Sequence, residues 1–255
     1  MDLRVLGCSG AEFPDHHPPG FLVDGKILFD AGTLNHVLGE KDQMKVKDIF
    51  ITHAHMDHIR EIPFLADNII IGGWRHTVTV FSILQVIRDI KKNLLNFRLW
   101  PDMTVLPTAR GAIIRLIALQ AGKPREIDGY TVTPHRVSHS VPAVGYLMED
   151  RKGRRFFYTG DTGPTDAPWK KIGNTPLHGL IVETSFPNRM EATARMTGHL
   201  TPSLLEKEIQ KLEVMPERIF ITHLKPQFGS AIERELRSLR LGNLHILREG
   251  EILTI

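Results

Sequence analysis

The sequence predicts an α/β fold in which helices cover the outer faces of two packed β-sheets. Three observations carry that expectation. Strand-like apolar runs recur along the chain, with helical periodicity before, between and after them. The 255 residues are 42% hydrophobic, enough to bury a large core. No Ser/Gly/Pro-rich linker or low-complexity run divides the sequence, so residues 1–255 read as a single domain.

Strand signals open the chain at 3–7 and return at 20–24 and 26–30, paired across an Asp24-Gly25 turn. Helical periodicity is expected at 33–38. Residues 48–52 contain the apolar run Ile49-Phe50-Ile51 and read as a buried strand, with helix again after the histidine cluster that follows. The longest helix of the first half is expected over 81–95, because Ile83, Leu84, Ile87, Ile90 and Leu94 share one face. Phe97 and Trp100 follow it and are expected to fill core beneath it rather than stack a nucleobase.

Strands are then expected at 113–119, 130–137, 143–149 and 155–158. Alternation resumes with a strand at 179–183, a helix at 202–212, a strand at 218–222 and a helix near 231–239, and short strands at 245–247 and 251–254 follow. One internal echo stands out: Ile49-Phe50-Ile51-Thr52-His53 returns as Ile219-Phe220-Ile221-Thr222-His223. If these strands hold equivalent places in the two sheets, their terminal histidines meet at one edge of the sandwich.

The net charge of +3 is too small to argue for a nucleic-acid footprint. The densest basic run, Arg151-Lys152-Gly153-Arg154-Arg155, sits between two strand-like segments and reads as a solvated hairpin turn. The single cysteine, Cys8, rules out an internal disulfide and fits a reducing compartment. It lies in a Gly-Cys-Ser-Gly turn with no evident base, so it reads as a packed turn residue rather than a nucleophile. No signal peptide and no membrane-length apolar run are evident, and a cytoplasmic location is expected.

The chemistry concentrates in Thr52-His53-Ala54-His55-Met56-Asp57-His58, which places three imidazoles and a carboxylate at the end of a buried strand. Imidazole and carboxylate ligands suit zinc and, less well, iron or manganese. Three more segments put ligand-type residues where strands should end: Ser138-His139-Ser140, Tyr158-Thr159-Gly160-Asp161 and Thr222-His223-Leu224-Lys225. Alone, each reads equally well as a surface histidine, an Asp-Gly turn or a helix cap. Together they complete seven ligands, enough for two metal ions if one carboxylate bridges.

In that order, His-x-His-x-Asp-His, His139, Thr-Gly-Asp161 and His223 resemble the metallo-β-lactamase superfamily, over nearly the whole chain and including Gly7-Cys8-Ser9-Gly10 and Phe29-Asp30-Ala31-Gly32. The resemblance implies an αββα sandwich with two zinc ions, or manganese or iron, at one edge. It implies that His53, His55 and His139 hold one ion, that Asp57, His58 and His223 hold the other, and that Asp161 bridges.

Within the superfamily, the 139–146 segment, Val182-Glu183-Thr184-Ser185-Phe186 and Gly198-His199-Leu200-Thr201 are similar to class II cyclic-nucleotide phosphodiesterases and to the tRNA 3′-processing endonucleases. The runs 58–68 and 97–102 and the Pro202 that follows Thr201 favour the first branch, and no Gly/Pro/Lys-rich insertion resembles the tRNA-binding arm of the second.

The expected reaction is hydrolysis of a 3′,5′-cyclic nucleotide to a 5′-nucleoside monophosphate by a metal-bridging hydroxide. Asp57 would help orient the nucleophile, and His199 would act as general acid, held by Glu183. Thr201 is the better N-cap for the helix starting at Pro202, which leaves His199 without a structural duty. The expected partner is a small phosphodiester, with nucleic acid the weaker alternative; a homodimer is consistent with the resemblance. A non-catalytic metal-binding module would show eroded ligands, and a redox di-iron protein would more naturally carry Glu at His55. His16, His17 and Lys225 are weaker candidates for the mouth of the site or a phosphate contact.

Overall fold

Alternation of side chains along the strands decides how this chain layers. The computed structural model describes residues 1–255. Its fourteen strands form two seven-stranded sheets. The first is made from β1 (Asp2–Gly7), β2 (Gly20–Val23), β3 (Ile27–Phe29), β4 (Asp48–Phe50), β5 (Val78–Ile83), β6 (Ile114–Leu119) and the late strand β14 (Ile252–Thr254). The second contains β7 (Arg125–Ile127), β8 (Tyr130–Arg136), β9 (Val144–Asp150), β10 (Arg155–Tyr158), β11 (Gly179–Glu183), β12 (Ile219–Thr222) and β13 (Leu244–Ile246).

Both sheets are mixed. In the first, ordered β14-β1-β2-β3-β4-β5-β6, β1 is antiparallel to β14 and β2, while β3 to β6 run parallel. The second mirrors this plan: β7 to β10 are antiparallel neighbours and β10 to β13 are parallel. Parallel strands need covering on both faces and read as continuous apolar runs, as β4, β11 and β12 do.

The inner faces meet through aromatic rings. Phe21 lies 4.9 Å from Tyr158, Phe29 lies 5.6 Å from Phe156, and Phe50 lies 5.3 Å from Tyr146, in edge-to-face pairs that cross between sheets. Burying each such ring stabilises the fold by ~1.5–3 kcal/mol. Period-two geometry turns the intervening residues outward. Phe157, Leu180, Val182, Ile219 and Ile221 therefore form a second core under the helices of that side.

Those helices are α5 (Ala167–Ile172), α6 (Glu191–Thr197), α7 (Pro202–Ile209) and α8 (Gly229–Ser238). They follow α1 (Glu40–Gln43), α2 (Met56–Ile59), α3 (Glu61–Ile71) and α4 (Leu84–Asp89) of the first half. The N-terminus of α7 has the expected cap: the Leu204 backbone N–H donates to the Thr201 hydroxyl, and Pro202 takes the first turn. No helix is long and apolar enough to cross a membrane.

Several local expectations fail. Residues 33–38 form turns instead of a helix, with Val37 and Leu38 both donating to the Leu34 carbonyl. The helix expected from 81 begins at Leu84, because Phe81, Ser82 and Ile83 complete β5, a strand between β4 and β6 that apolar periodicity had disguised as helix. A fully buried strand and a buried helical turn share the same unbroken hydrophobicity. Phe97 is 63% exposed and does not fill core, whereas Trp100 packs against Phe64 at 5.2 Å. Strand β7 and helices α1, α5 and α6 were not anticipated.

Residues 151–154 form the β9–β10 hairpin turn and Arg155 already begins β10, with Arg154 paired to Asp150 and Arg155 to Glu149. Cys8 is buried with its thiol against the Leu247 carbonyl, and burial pushes its pKa up, far from a nucleophile's range.

Candidate metal centre

Strand ends from both sheets converge at one edge of the sandwich. β4 runs into Thr52 and His53, and α2 starts three residues later, so Asp57 and His58 fall in its single turn. His139 follows β8, Asp161 follows β10, Glu183 ends β11, and His223 follows β12. The two Thr-His echoes thus sit on strands of different sheets and meet at Asp161, whose Oδ2 is 3.8 Å from His53 Nε2 and 3.4 Å from His223 Nε2.

The approach is close enough to dictate backbone. Gly160 adopts φ +59°, and a Cβ there would stand 2.7 Å from the Thr52 side chain. At Gly10 a Cβ would stand 2.4 Å from the His223 carbonyl oxygen, and His223 itself has φ +62°, a conformation a β-carbon disfavours.

Four groups of ligand-type atoms lie close together, two of which, His139/Asp161/His199 and Glu183/His199/His223, include His199; the other two, His53/His55/His139 and Asp57/His58/Asp161/His223, match the sets expected from the sequence. His53 Nε2 and His139 Nε2 lie 3.0 and 3.3 Å from His55 Nδ1. On the other side, His58 Nε2 is 3.4 Å and 3.8 Å from Asp161 Oδ2 and Asp57 Oδ2, and His223 Nε2 is 3.5 Å from Asp57 Oδ2. Ligand atoms about 2.0–2.1 Å from a tetrahedral zinc lie roughly 3.3 Å apart, so the spacings fit. His58 Nε2 and His223 Nε2 are also buried with no hydrogen-bond partner. An orphaned buried polar atom costs ~1–3 kcal/mol, which a cation between these side chains would offset.

The outer nitrogens explain the ring orientations. His58 Nδ1 is 2.8 Å from Asp30 Oδ2, His139 Nδ1 is 2.8 Å from the Gly198 carbonyl, and His223 Nδ1 is 2.8 Å from Ser185 Oγ. Each contact leaves Nε2 facing the cluster, the arrangement that orients metal-binding imidazoles. Asp30 also accepts from the Thr52 N–H at 2.8 Å and the Tyr158 hydroxyl at 2.7 Å. In the sequence Asp30 and Ser185 stand only as members of the Phe29–Gly32 and Val182–Phe186 segments, with no role of their own. An acidic residue ending a wholly apolar strand was the available signal for Asp30; nothing in the sequence distinguished Ser185.

Electrostatics divides the cluster. Burial holds His53, His55 and His139 below the usual imidazole range, so they stay neutral with lone pairs available. Burial opposes ionisation of Asp161, yet His223 and His58 hold its carboxyl well below the ordinary range. Burial likewise opposes ionisation of Asp57, and neighbouring His58 and His223 still hold it low. Burial opposes protonation of His58, yet Asp161, Asp30 and Asp57 raise its pKa well above the usual imidazole range, so a divalent cation at this side of the cluster would take the place of that proton.

Next to the ligands, His199 Nδ1 lies 2.6 Å from Glu183 Oε1 and 4.0 Å from Asp161 Oδ2. Burial would depress the His199 pKa, but the Glu183 carboxylate pushes it up to about 9. Of the weaker candidates, His17 contacts Glu12, Glu249 and His36 in a peripheral network. His16 Nδ1 lies 3.5 Å from Ser9 Oγ. Lys225 Nζ donates to the Gly10 carbonyl and sits over Phe186, so it is tied down beside the site.

A family model for the beta-lactamase superfamily domain matches residues 26–224, well over half of the chain. The chain belongs to the beta-lactamase superfamily. It is 27% identical over 228 residues to the probable 3′,5′-cyclic-nucleotide phosphodiesterase of Yersinia pestis, covering 79% of this chain and 63% of that protein. The chain therefore spans less than two thirds of that relative's length. It is 26% identical to the ribonuclease Z of Methanococcus maripaludis (strain C7), covering 99% of this chain and 98% of that protein. Among solved structures, unliganded yeast PDE1 superposes with a TM-score of 0.85 at 19% identity, covering 100% of this chain and 99% of that one, a likeness of fold.

Proposed function

We propose that this protein is a metal-dependent phosphodiesterase that hydrolyses 3′,5′-cyclic nucleotides to 5′-nucleoside monophosphates. The observation that carries the reading is the buried His199–Glu183 pair set against Asp161. A metal cluster alone suits many hydrolytic reactions, whereas a protonated imidazole beside it suits one that expels a poor alkoxide leaving group.

In this reading His53, His55 and His139 would hold one divalent cation, Asp57, His58 and His223 would hold the other, and the Asp161 carboxylate would be available to both. When bound, such a pair supplies Lewis acidity toward phosphoryl oxygens and makes an activated water available at neutral pH. The chain's own residues do the rest. Asp57 helps to fix the direction of attack on phosphorus. Glu183 occupies Nδ1 of His199 and thereby turns the opposite nitrogen, Nε2, toward the substrate. That N–H passes its proton to the 3′ oxygen as the phosphorus–oxygen bond breaks, and solvent returns the proton afterwards. The use of a single cysteine, Cys8, is in keeping with a cytoplasmic setting.

Support for the substrate comes from the Yersinia pestis relative's name, and a specific observation favours a second reading. The ribonuclease Z of Methanococcus maripaludis aligns over nearly its full length, so RNA 3′-end cleavage on the same site is the competitor. Rates on 3′,5′-cyclic AMP, on a precursor tRNA with a 3′ trailer and on bis-p-nitrophenyl phosphate separate them. A clear preference in kcat/KM for the cyclic nucleotide is expected; a preference for the precursor tRNA would transfer the protein to the ribonuclease reading.

A further inference from the structure

We infer that a second ligand site, for a small phosphorylated molecule of nucleotide type, lies in a basic cavity between α4 and β6. The cavity has a volume of about 740 Å³, within the range of roughly 300–1,000 Å³ typical of small-molecule sites. Ile87, Ile114 and Leu116 give it an apolar floor, and Arg88, Lys91, Lys92, Arg110 and Arg115 its charge. Against these five cations the lining sets one carboxylate, Asp89. The lining's excess of positive over negative side chains is larger than the net charge of +3 carried by the whole chain.

The cations are mostly unspent. Lys91 pairs with Asp102, whereas no carboxylate oxygen lies within 4.0 Å of the charged nitrogens of Arg88, Lys92, Arg110 or Arg115. Like charges gathered without counter-ions repel one another, and an oligoanion relieves that repulsion. Guanidinium groups also match phosphate oxygens in bidentate geometry. A free phosphate would use only the charged wall, while a nucleoside phosphate would use the wall and the apolar floor together.

Backbone geometry marks the same place. Directly after α4 the chain widens into a π-helical turn, Ile90–Leu94, in which the Leu95 N–H donates to the Ile90 carbonyl five residues back at 3.0 Å. Such turns are rare and are found often at functional sites. This one carries Lys91 and Lys92.

The cavity is distinct from the metal centre. It uses Ile114 and Leu116 at the start of β6, which pair with Val78 and Val80 of the parallel strand β5, and Val80 pairs with Ile49 of β4. His53 lies beyond the other end of β4, so a molecule in the cavity is a second ligand and not the scissile substrate.

The test is calorimetric titration of the metal-loaded protein with ATP, with inorganic pyrophosphate and with a short single-stranded RNA. The same titrations are run on the variant Arg88→Ala/Lys92→Ala/Arg110→Ala, whose altered side chains are exposed. ATP is expected to bind the wild-type protein and to bind the variant about tenfold or more weakly, the scale expected for lost charge-assisted contacts. Turnover of bis-p-nitrophenyl phosphate should be equal in the two proteins. Unchanged ATP affinity in the variant, no ATP binding by the wild type, pyrophosphate binding as tightly as ATP, or binding of the RNA in preference to ATP would each overturn the inference.

Discussion

His199 Nδ1 and Glu183 Oε1 stand 2.6 Å apart in a buried pair, and the carboxylate holds the imidazolium together up to about pH 9. Burial alone would strip that proton at a lower pH; Glu183 outweighs it. The pair therefore stores a proton beside the ligand cluster throughout the neutral range.

His199→Ala is expected to lower kcat by about 10²–10⁴, the usual reach of a well-placed general acid. Its metal content, read by elemental analysis, should stay at the wild-type level because His199 belongs to neither of the two proposed ligand sets. Loss of metal in the variant would make His199 a ligand or a prop instead.

The alkaline limb of the pH–rate profile should follow the same proton. An acid catalyst is active below its pKa and inactive above it, so kcat should fall as pH rises through about 9. Glu183→Gln removes the charge that raises the pKa, and the limb should move toward lower pH. A limb that stays in place would detach it from His199.

Stripping the metals with a chelator should abolish turnover and lower the thermal midpoint. Binding to the native state alone, at about a thousandfold above Kd, stabilises by ~4 kcal/mol per site, which corresponds to a shift on the order of 10 °C for a chain of this size. Differential scanning fluorimetry with and without chelator reads it. Asp161→Ala should show the lowered midpoint without any chelator.

Asp30→Ala should destabilise the fold by roughly 3–5 kcal/mol, since it leaves buried donors unanswered at His58, Thr52 and Tyr158. Metal affinity should fall by about 10–100-fold as His58 loses its anchor. Urea melts and metal titration measure the two effects separately, and unchanged metal affinity would confine Asp30 to a packing role.

Gly10→Ala should impair the site from a distance. Its new Cβ would stand 2.4 Å from the His223 carbonyl oxygen and 2.9 Å from Nδ1, forcing His223 off its position. Reduced metal occupancy and reduced kcat are both expected, measured on protein purified without chelator; full occupancy would show that the loop gives way instead.

How much of this was legible in the sequence depended on how local each feature is. The layered fold could be read because the apolar runs Ile49-Phe50-Ile51, Leu180-Ile181-Val182 and Ile219-Phe220-Ile221 are each followed within two residues by a polar residue of the site. The same property hid β5, since Phe81 and Ile83 are as apolar in a strand as in a helix. Short helices such as α1 and α6 carry too few residues to set up a periodicity. At the site, residues of the ligand type announced themselves at strand ends, while Ser185 did not. Its position between Glu183 and His223 is created by the meeting of β11 and β12. The cluster of cations around α4 is likewise assembled from segments 87–92 and 110–115, neither of which is a conspicuous charge run.

The order of strands along the chain has a practical consequence. Apart from β14, the first sheet is complete by Leu119, and the second sheet begins at Arg125, with an exposed turn at Gly122 between them. Cutting there would leave His53, His55, Asp57 and His58 on one polypeptide, and His139, Asp161, Glu183, His199 and His223 on the other. The second piece would still carry β14, the strand that pairs with β1 of the first. Two separately inert fragments could thus find each other through a shared sheet edge and report their reunion by recovering a catalytic centre.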